Sequence, residues 1–188
     1  IAGTGNTGGG GYGSQYKGGY CGQSHPLATY AGMISRMDRN IGKILDLLDE
    51  LKLSENTLVI FSSDNGPSPE GGQSLKFFNS AGPLSGAKRS WKEGGIRVPM
   101  IARWPGKIKP KTTSDEIICL TDLTATAAAI TGINLPHNAA EDSQNILPAL
   151  LGTPLKKPIR EATVHHSSKG KFAIRQGKWV LLDHPGSG

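Results

Sequence analysis

Asp64 and Asn65 place a carboxylate and an amide oxygen side by side, directly after an apolar run. Oxygen donors of this kind suit a hard divalent cation, Ca2+ or Mg2+. Asp64-Asn65-Gly66 is also common turn chemistry, because Asn and Gly tolerate positive φ. Read alone, the three residues make a plain turn before they make a metal site. Further on, Lys88, Arg89, Lys92, Arg97, Arg103, Lys107, Lys109 and Lys111 stand against a single acid, Glu93. A field of that sign draws anions such as sulfate esters or nucleic acid, although most such charges are merely solvated. Only Trp91 and Trp104 are interleaved with them, which is poor support for nucleic-acid stacking. His165-His166 closes another apolar run, where a histidine pair is more often structural than functional. Cys21 and Cys119 have neither the number nor the spacing of a disulfide framework or a metal site.

These side chains need elements to hold them. Leu27, Tyr30, Ala31, Ile34, Met37, Ile41, Ile44, Leu45, Leu48 and Leu51 recur at steps of three and four, the apolar stripe of a long amphipathic helix. Pro26 suits its first turn, and His25 reads as the lead-in. Thr57 to Ser63 is a continuous apolar and β-branched run, of the kind that forms a strand buried on both faces of a parallel sheet. It stops at Asp64-Asn65-Gly66-Pro67. A helix feeding a strand that ends in polar residues is α/β grammar, and ligands gather at such strand ends. Residues 66–97 read as an irregular glycine-rich loop, Val98 to Trp104 as a second strand, and Asp115 to Leu120 as a third. Thr121 is the expected N-cap of a helix running to Thr131, with Gly132 past its end. A short helix is expected around Ile146 to Leu151. Three short strands follow, at 162–166, 171–175 and 178–182, with glycine-containing turns between them.

The order of these segments closely resembles that of the formylglycine-dependent sulfatases, in the arylsulfatase and N-acetylgalactosamine-6-sulfatase-like branch. The resemblance is carried by Ser62-Ser63-Asp64-Asn65-Gly66, Glu70-Gly71-Gly72, Gly86-Ala87-Lys88, Glu93-Gly94-Gly95-Ile96-Arg97-Val98-Pro99 and Trp104-Pro105-Gly106. Thr121-Asp122-Leu123, Leu147 to Gly152 and Phe172 to Arg175 extend it, so that it covers residues 27–188. It implies an α/β fold, part of an alkaline-phosphatase-like sulfatase sheet with flanking helices, followed by a small antiparallel C-terminal sheet. It implies that Asp64 and Asn65 complete a divalent-cation site, Ca2+ or Mg2+. Lys88 would contact the substrate sulfate and act in catalysis, and His166 would border the substrate pocket. Glu93-Gly94-Gly95 reads as structural, two glycines permitting close approach. Arg97 reads as a pairing residue.

The family's nucleophile is a formylglycine made from Cys or Ser in a Cys/Ser-x-Pro/Ala-x-Arg motif. Neither Cys21-Gly22-Gln23-Ser24-His25 nor Cys119-Leu120-Thr121-Asp122-Leu123 fits it. The expectation is therefore a C-terminal sulfatase portion, inactive alone, whose partners are a sulfated small molecule or glycan and an N-terminal part of the same protein. The resemblance implies a periplasmic, secreted or lysosomal setting. Two other readings stay open: a phosphatase or phosphodiesterase of the same superfold, and a non-catalytic anion- or glycan-binding module.

Composition bounds these readings. The chain has 188 residues, 36% hydrophobic, with 26 Gly and 12 Pro, so much of it must be turn and loop. Ten of the first 22 residues are glycine, and residues 1–24 are expected to be a loop or disordered lead-in. Residues 25–135 are then expected as α/β catalytic-domain material, and 136–188 as a loop-rich connection leading into the C-terminal sheet. No run approaches the roughly 18 apolar residues of a membrane span. Ile1-Ala2-Gly3-Thr4 does not read as a targeting signal.

Overall fold

The computed structural model describes residues 24–70, 74–167, 169–183 and 185. The glycine-rich lead-in and Cys21 lie outside them, apart from Ser24. The chain divides into two compact units, one containing the residues up to Lys52 and Asn65–Val98, the other Leu53–Asp64 and the residues from Pro99 onward.

In the first unit the expected long helix is α1, Pro26–Glu50, with proline in its first turn. Its start is closed by the Thr29 amide donating to the His25 carbonyl at 2.9 Å. No residue of α1 is buried, and Met33 is 63% exposed. Tyr30 contributes to a ring cluster with Phe78, centroids 5.2 Å apart, and Phe78 meets Phe77 edge-on at 4.9 Å. Phe77 and Phe78 belong to a single-turn helix, α2, Leu75–Phe78, capped by the Ser74 hydroxyl accepting from the Phe77 amide. A second single turn, α3, Glu93–Ile96, carries buried Gly94 and Gly95. The stretch read as wholly irregular thus holds two helical turns. Four residues each are too few to show a period in sequence.

In the second unit β1, Val59–Ser62, pairs antiparallel with β2, Met100–Arg103, in the register Val59↔Arg103 to Ser62↔Met100. This differs from the expected strand buried on both faces of a parallel sheet: all four β1 residues are half-buried, and among the described residues its ladder is with β2. The Trp104 indole N–H donates to the Glu55 carbonyl at 2.9 Å, and the Ser62 hydroxyl to that of Pro99 at 2.9 Å, tying both ends of the ladder.

The strand expected at Asp115 to Leu120 does not form. The Cys119 amide, which a ladder could use, donates instead to the Asp122 carboxylate at 2.7 Å, and the Glu116 carboxylate accepts from the Ile159 amide at 3.0 Å. Leu120–Asp122 is a 3-10 turn, and helix α4, Leu123–Thr131, follows with Asp122 rather than Thr121 at its cap position. It ends at Gly132, which adopts φ 71° as a left-handed cap. Helix α5 is Leu147–Leu150. Strands β3, Ala162–His166, β4, Phe172–Gln176, and β5, Trp179–Leu182, form an antiparallel meander, within a residue of the expected bounds. Its turns use Gly170 and Gly177 at positive φ.

The core of this unit is a polar hub wrapped in Ile146. Asp122 is fully buried and its carboxylate accepts from the Cys119 amide, the Gln144 amide at 2.8 Å and the Arg160 guanidinium at 2.5 Å. Buried Thr126 donates to the Asp122 carbonyl at 2.7 Å and accepts from the Ile146 amide at 3.0 Å. Burial raises the Cys119 thiol above its ordinary 9.0, with Arg160 opposing the shift.

Candidate functional site

Asp64 follows β1 in the loop of the second unit, with its side chain exposed. In the first unit, Asn65 is half-buried and its amide nitrogen donates to the Gly66 carbonyl at 2.9 Å. The donors are right in kind for a hard cation and few in number. A Ca2+ ion takes roughly six to eight oxygens, and among the described residues no group of three or more His, Cys, Asp or Glu converges on one point.

The segment after Asn65 is built against the loop that carries Lys88. The Gly66 amide donates to the Gly95 carbonyl at 2.8 Å, the Lys88 amide to the Pro67 carbonyl at 2.9 Å, and the Gly94 amide to the Ser85 carbonyl at 2.7 Å. Glycine is required for this approach. A Cβ on Gly94 would stand 2.5 Å from the Gly86 oxygen and 2.8 Å from that of Ser85, and one on Gly66 would press on the backbone of Gly94 and Gly95. Trp91 in the same loop is only 1% exposed. The tight-approach reading of Gly94 and Gly95 therefore describes the packing.

Lys88 extends its ammonium to within 3.2 Å of Glu70 Oε2, and Arg89 reaches Glu70 Oε1 at 2.5 Å. Two cations thus share one carboxylate, a net charge of one positive unit in a half-exposed place. Arg97 pairs with Glu93 at 3.8 Å while 67% exposed, a geometry that contributes little to stability.

His166 lies at the end of β3, on a different sheet from β1; its side chain is exposed. Its Nδ1 is 2.9 Å from the Ser167 carbonyl and its ring stands 5.7 Å from that of Phe172. Within one unit the fold brings Lys88 to the segment beginning at Asn65. His166 belongs to the other unit. Sequence reasoning gave no role to Glu70 or Arg89. The signal available was the excess of cations around Lys88, whose counter-charge had to come from elsewhere in the chain.

A mixed helix-and-sheet chain ending in a small antiparallel sheet, with a glycine-walled basic loop beside Asp-Asn-Gly, defines a class that comparison with known proteins resolves. The family model described as Sulfatase matches residues 5–133, and that described as N-sulphoglucosamine sulphohydrolase, C-terminal, matches residues 86–183. An N-acetylgalactosamine-6-O-sulfatase of Bacteroides thetaiotaomicron is 37% identical over 163 residues, covering 84% of this chain and 31% of that protein. The N-acetylgalactosamine-6-sulfatase of Homo sapiens is 38% identical over 159 residues, covering 80% and 29%. Among solved structures, Ps i-CgsB in complex with k-i-k-neocarrahexaose superposes with a TM-score of 0.70 at 29% identity, covering 87% of this chain and 35% of that one. The chain belongs to the sulfatase family. It spans about a third of the length of the curated relatives it matches.

Proposed function

We propose that the protein to which this chain belongs hydrolyses a sulfate ester, and that this chain supplies Lys88 to the sulfate group and Asp64 and Asn65 to a divalent cation, Ca2+ or Mg2+. The observation that carries the reading is Lys88 itself. It is a half-exposed ammonium on a loop closely packed at Gly66, Gly94 and Gly95, its backbone amide hydrogen-bonded to the carbonyl of Pro67, two residues beyond Asn65. A charge held in place before substrate arrives stabilises negative charge on non-bridging oxygens without reorganisation. Asp64 would bring a full negative charge to the cation and Asn65 its amide oxygen. The Asn65 amide nitrogen, committed to the Gly66 carbonyl, orients that amide. The cation, when bound, supplies Lewis acidity toward the sulfate oxygens. His166, exposed at the end of β3, would extend the substrate contact. The relatives' names favour a 6-sulfated N-acetylgalactosamine, or a glycan containing it, as substrate.

Neither cysteine stands in the nucleophile motif, and although Ser85-Gly86-Ala87-Lys88-Arg89 has the spacing of its serine form, the chain spans about a third of its relatives' length, so the 188-residue chain by itself is expected to be inert. The test has two arms. The isolated chain is assayed on an aryl sulfate, where turnover would sink the proposed division of labour. The full-length protein is assayed on 6-sulfated N-acetylgalactosamine and on an aryl phosphate. Release of sulfate, lost in Lys88→Ala, supports the reading; a preference for the phosphate ester identifies a phosphatase of the same superfold instead. Anion binding with no turnover of either ester would leave a binding module.

A further inference from the structure

Glu70 has no assigned part in this chemistry, yet it holds the residue on which the proposed sulfate contact depends. Its carboxylate is 19% exposed and bridges Lys88 Nζ at 3.2 Å and Arg89 Nη2 at 2.5 Å. The backbone is shaped for this bridge. The Ser90 amide donates to the Ala87 carbonyl at 3.0 Å, closing a turn with Lys88 and Arg89 at its centre. Arg89 there has φ 75°, a left-handed conformation that favours glycine or asparagine. A non-glycine residue persists in such a conformation when its surroundings over-determine it. The short contact with Glu70 is one interaction that favours it here. The Lys88 amide is meanwhile fixed on the Pro67 carbonyl, three residues before Glu70.

We propose that Glu70 is a positioning residue for Lys88, anchored by Arg89, and that the three side chains form one anion-binding element. The proposal rests on the reading of Lys88 as the sulfate contact. An ammonium has three N–H donors. Glu70 takes one, at the longer of its two contacts, and two remain for the oxygens of a sulfate ester. A lysine side chain left to itself spreads over many rotamers, and ordering it opposes binding. Glu70 meets that cost before the anion arrives. Because Arg89 shares the carboxylate, the element keeps a net positive charge.

The sign of one substitution separates this from simple electrostatics. Inorganic sulfate is titrated into the full-length protein by calorimetry, for wild type, Lys88→Ala, Glu70→Gln, Glu70→Asp and the Glu70→Gln/Lys88→Ala pair. Removing a negative charge next to an anion site would by Coulomb's law tighten binding. Positioning predicts the reverse, a loss of about tenfold in Glu70→Gln that disappears in the Lys88→Ala background, with recovery toward wild type in Glu70→Asp. Tighter binding in Glu70→Gln, or an equal loss with and without Lys88, overturns the proposal. Should Glu70→Gln not fold, Glu70→Asp decides: affinity near wild type supports positioning, and affinity as low as Lys88→Ala rejects it. Unchanged affinity in Lys88→Ala would instead overturn the underlying assignment of Lys88, which keeps the two failures distinct.

Discussion

Two carboxylates in this chain each hold an arginine at 2.5 Å, and their surroundings differ at every other point. Asp122 is fully buried, and its partner Arg160 is 14% exposed. Asp122 also accepts from two backbone amides, so its donors are matched to its lone pairs and one positive charge meets one negative. Glu70 is partly open, its arginine is 59% exposed, and a second cation shares the carboxylate. Charge balanced inside a dry hub marks a group that holds the fold together. Surplus charge on a partly open loop is what the proposed anion-binding role of Lys88 requires. An ion pair by itself distinguishes neither case; burial and the count of partners do.

The contrast is sharpest where it should cost most. Asp122→Ala leaves a buried guanidinium and two backbone amides without their acceptor, and is expected to destabilise by about 3–5 kcal/mol, read by denaturant unfolding. A loss under about 1 kcal/mol would place Asp122 with ordinary surface pairs. Gly94→Ala tests the wall of the Lys88 loop. With a Cβ 2.5 Å from the Gly86 oxygen, overpacking of about 1–3 kcal/mol is expected. Thermal unfolding measures it, and a neutral result would mean that the 85–95 loop yields readily.

Lys88→Ala should do the opposite of Asp122→Ala. Its half-exposed pair is expected to contribute no more than about 1 kcal/mol to stability, while sulfate affinity falls about tenfold, or roughly 1.4 kcal/mol of binding. Large destabilisation with unchanged sulfate affinity would erase the difference between the two regions.

The smallest effect lies beside the hub. Burial raises the Cys119 thiol above 9.0, so the folded state keeps a proton that the unfolded chain gives up. The sign follows: this contribution is intact below the unfolded value and is lost as pH rises through the folded one. Stability is therefore expected to fall more steeply above about pH 9 in the native chain than in Cys119→Ala. Equal slopes in alkaline unfolding would show that the thiol does not report the hub's burial.

Local pattern made several elements legible. Pro26 and the three-and-four spacing from Leu27 defined α1, and Gly132 its counterpart at the end of α4, because helix period and caps are properties of adjacent residues. Short apolar runs with Gly170 and Gly177 between them marked the C-terminal meander for the same reason. The apolar run at Val59 located β1 but not its antiparallel pairing with β2, since an apolar strand reads alike whether its neighbour is parallel or antiparallel. Ile117 and Ile118 suggested a strand that does not exist. The Cys119 amide is answered by the Asp122 carboxylate three residues on, and the Glu116 carboxylate by the Ile159 amide, 43 residues along the chain.

The same division runs through the candidate site. Sequence alone singled out Asp64, Asn65 and Lys88, because residue type and the order of neighbouring motifs are written linearly. Only tertiary structure supplied Glu70, 18 residues from Lys88, and showed that Gly94 and Gly95 let two backbones meet. It also placed His166 in the other unit. Charge pairing and close packing depend on which loops approach one another through space, and no period in the sequence records that.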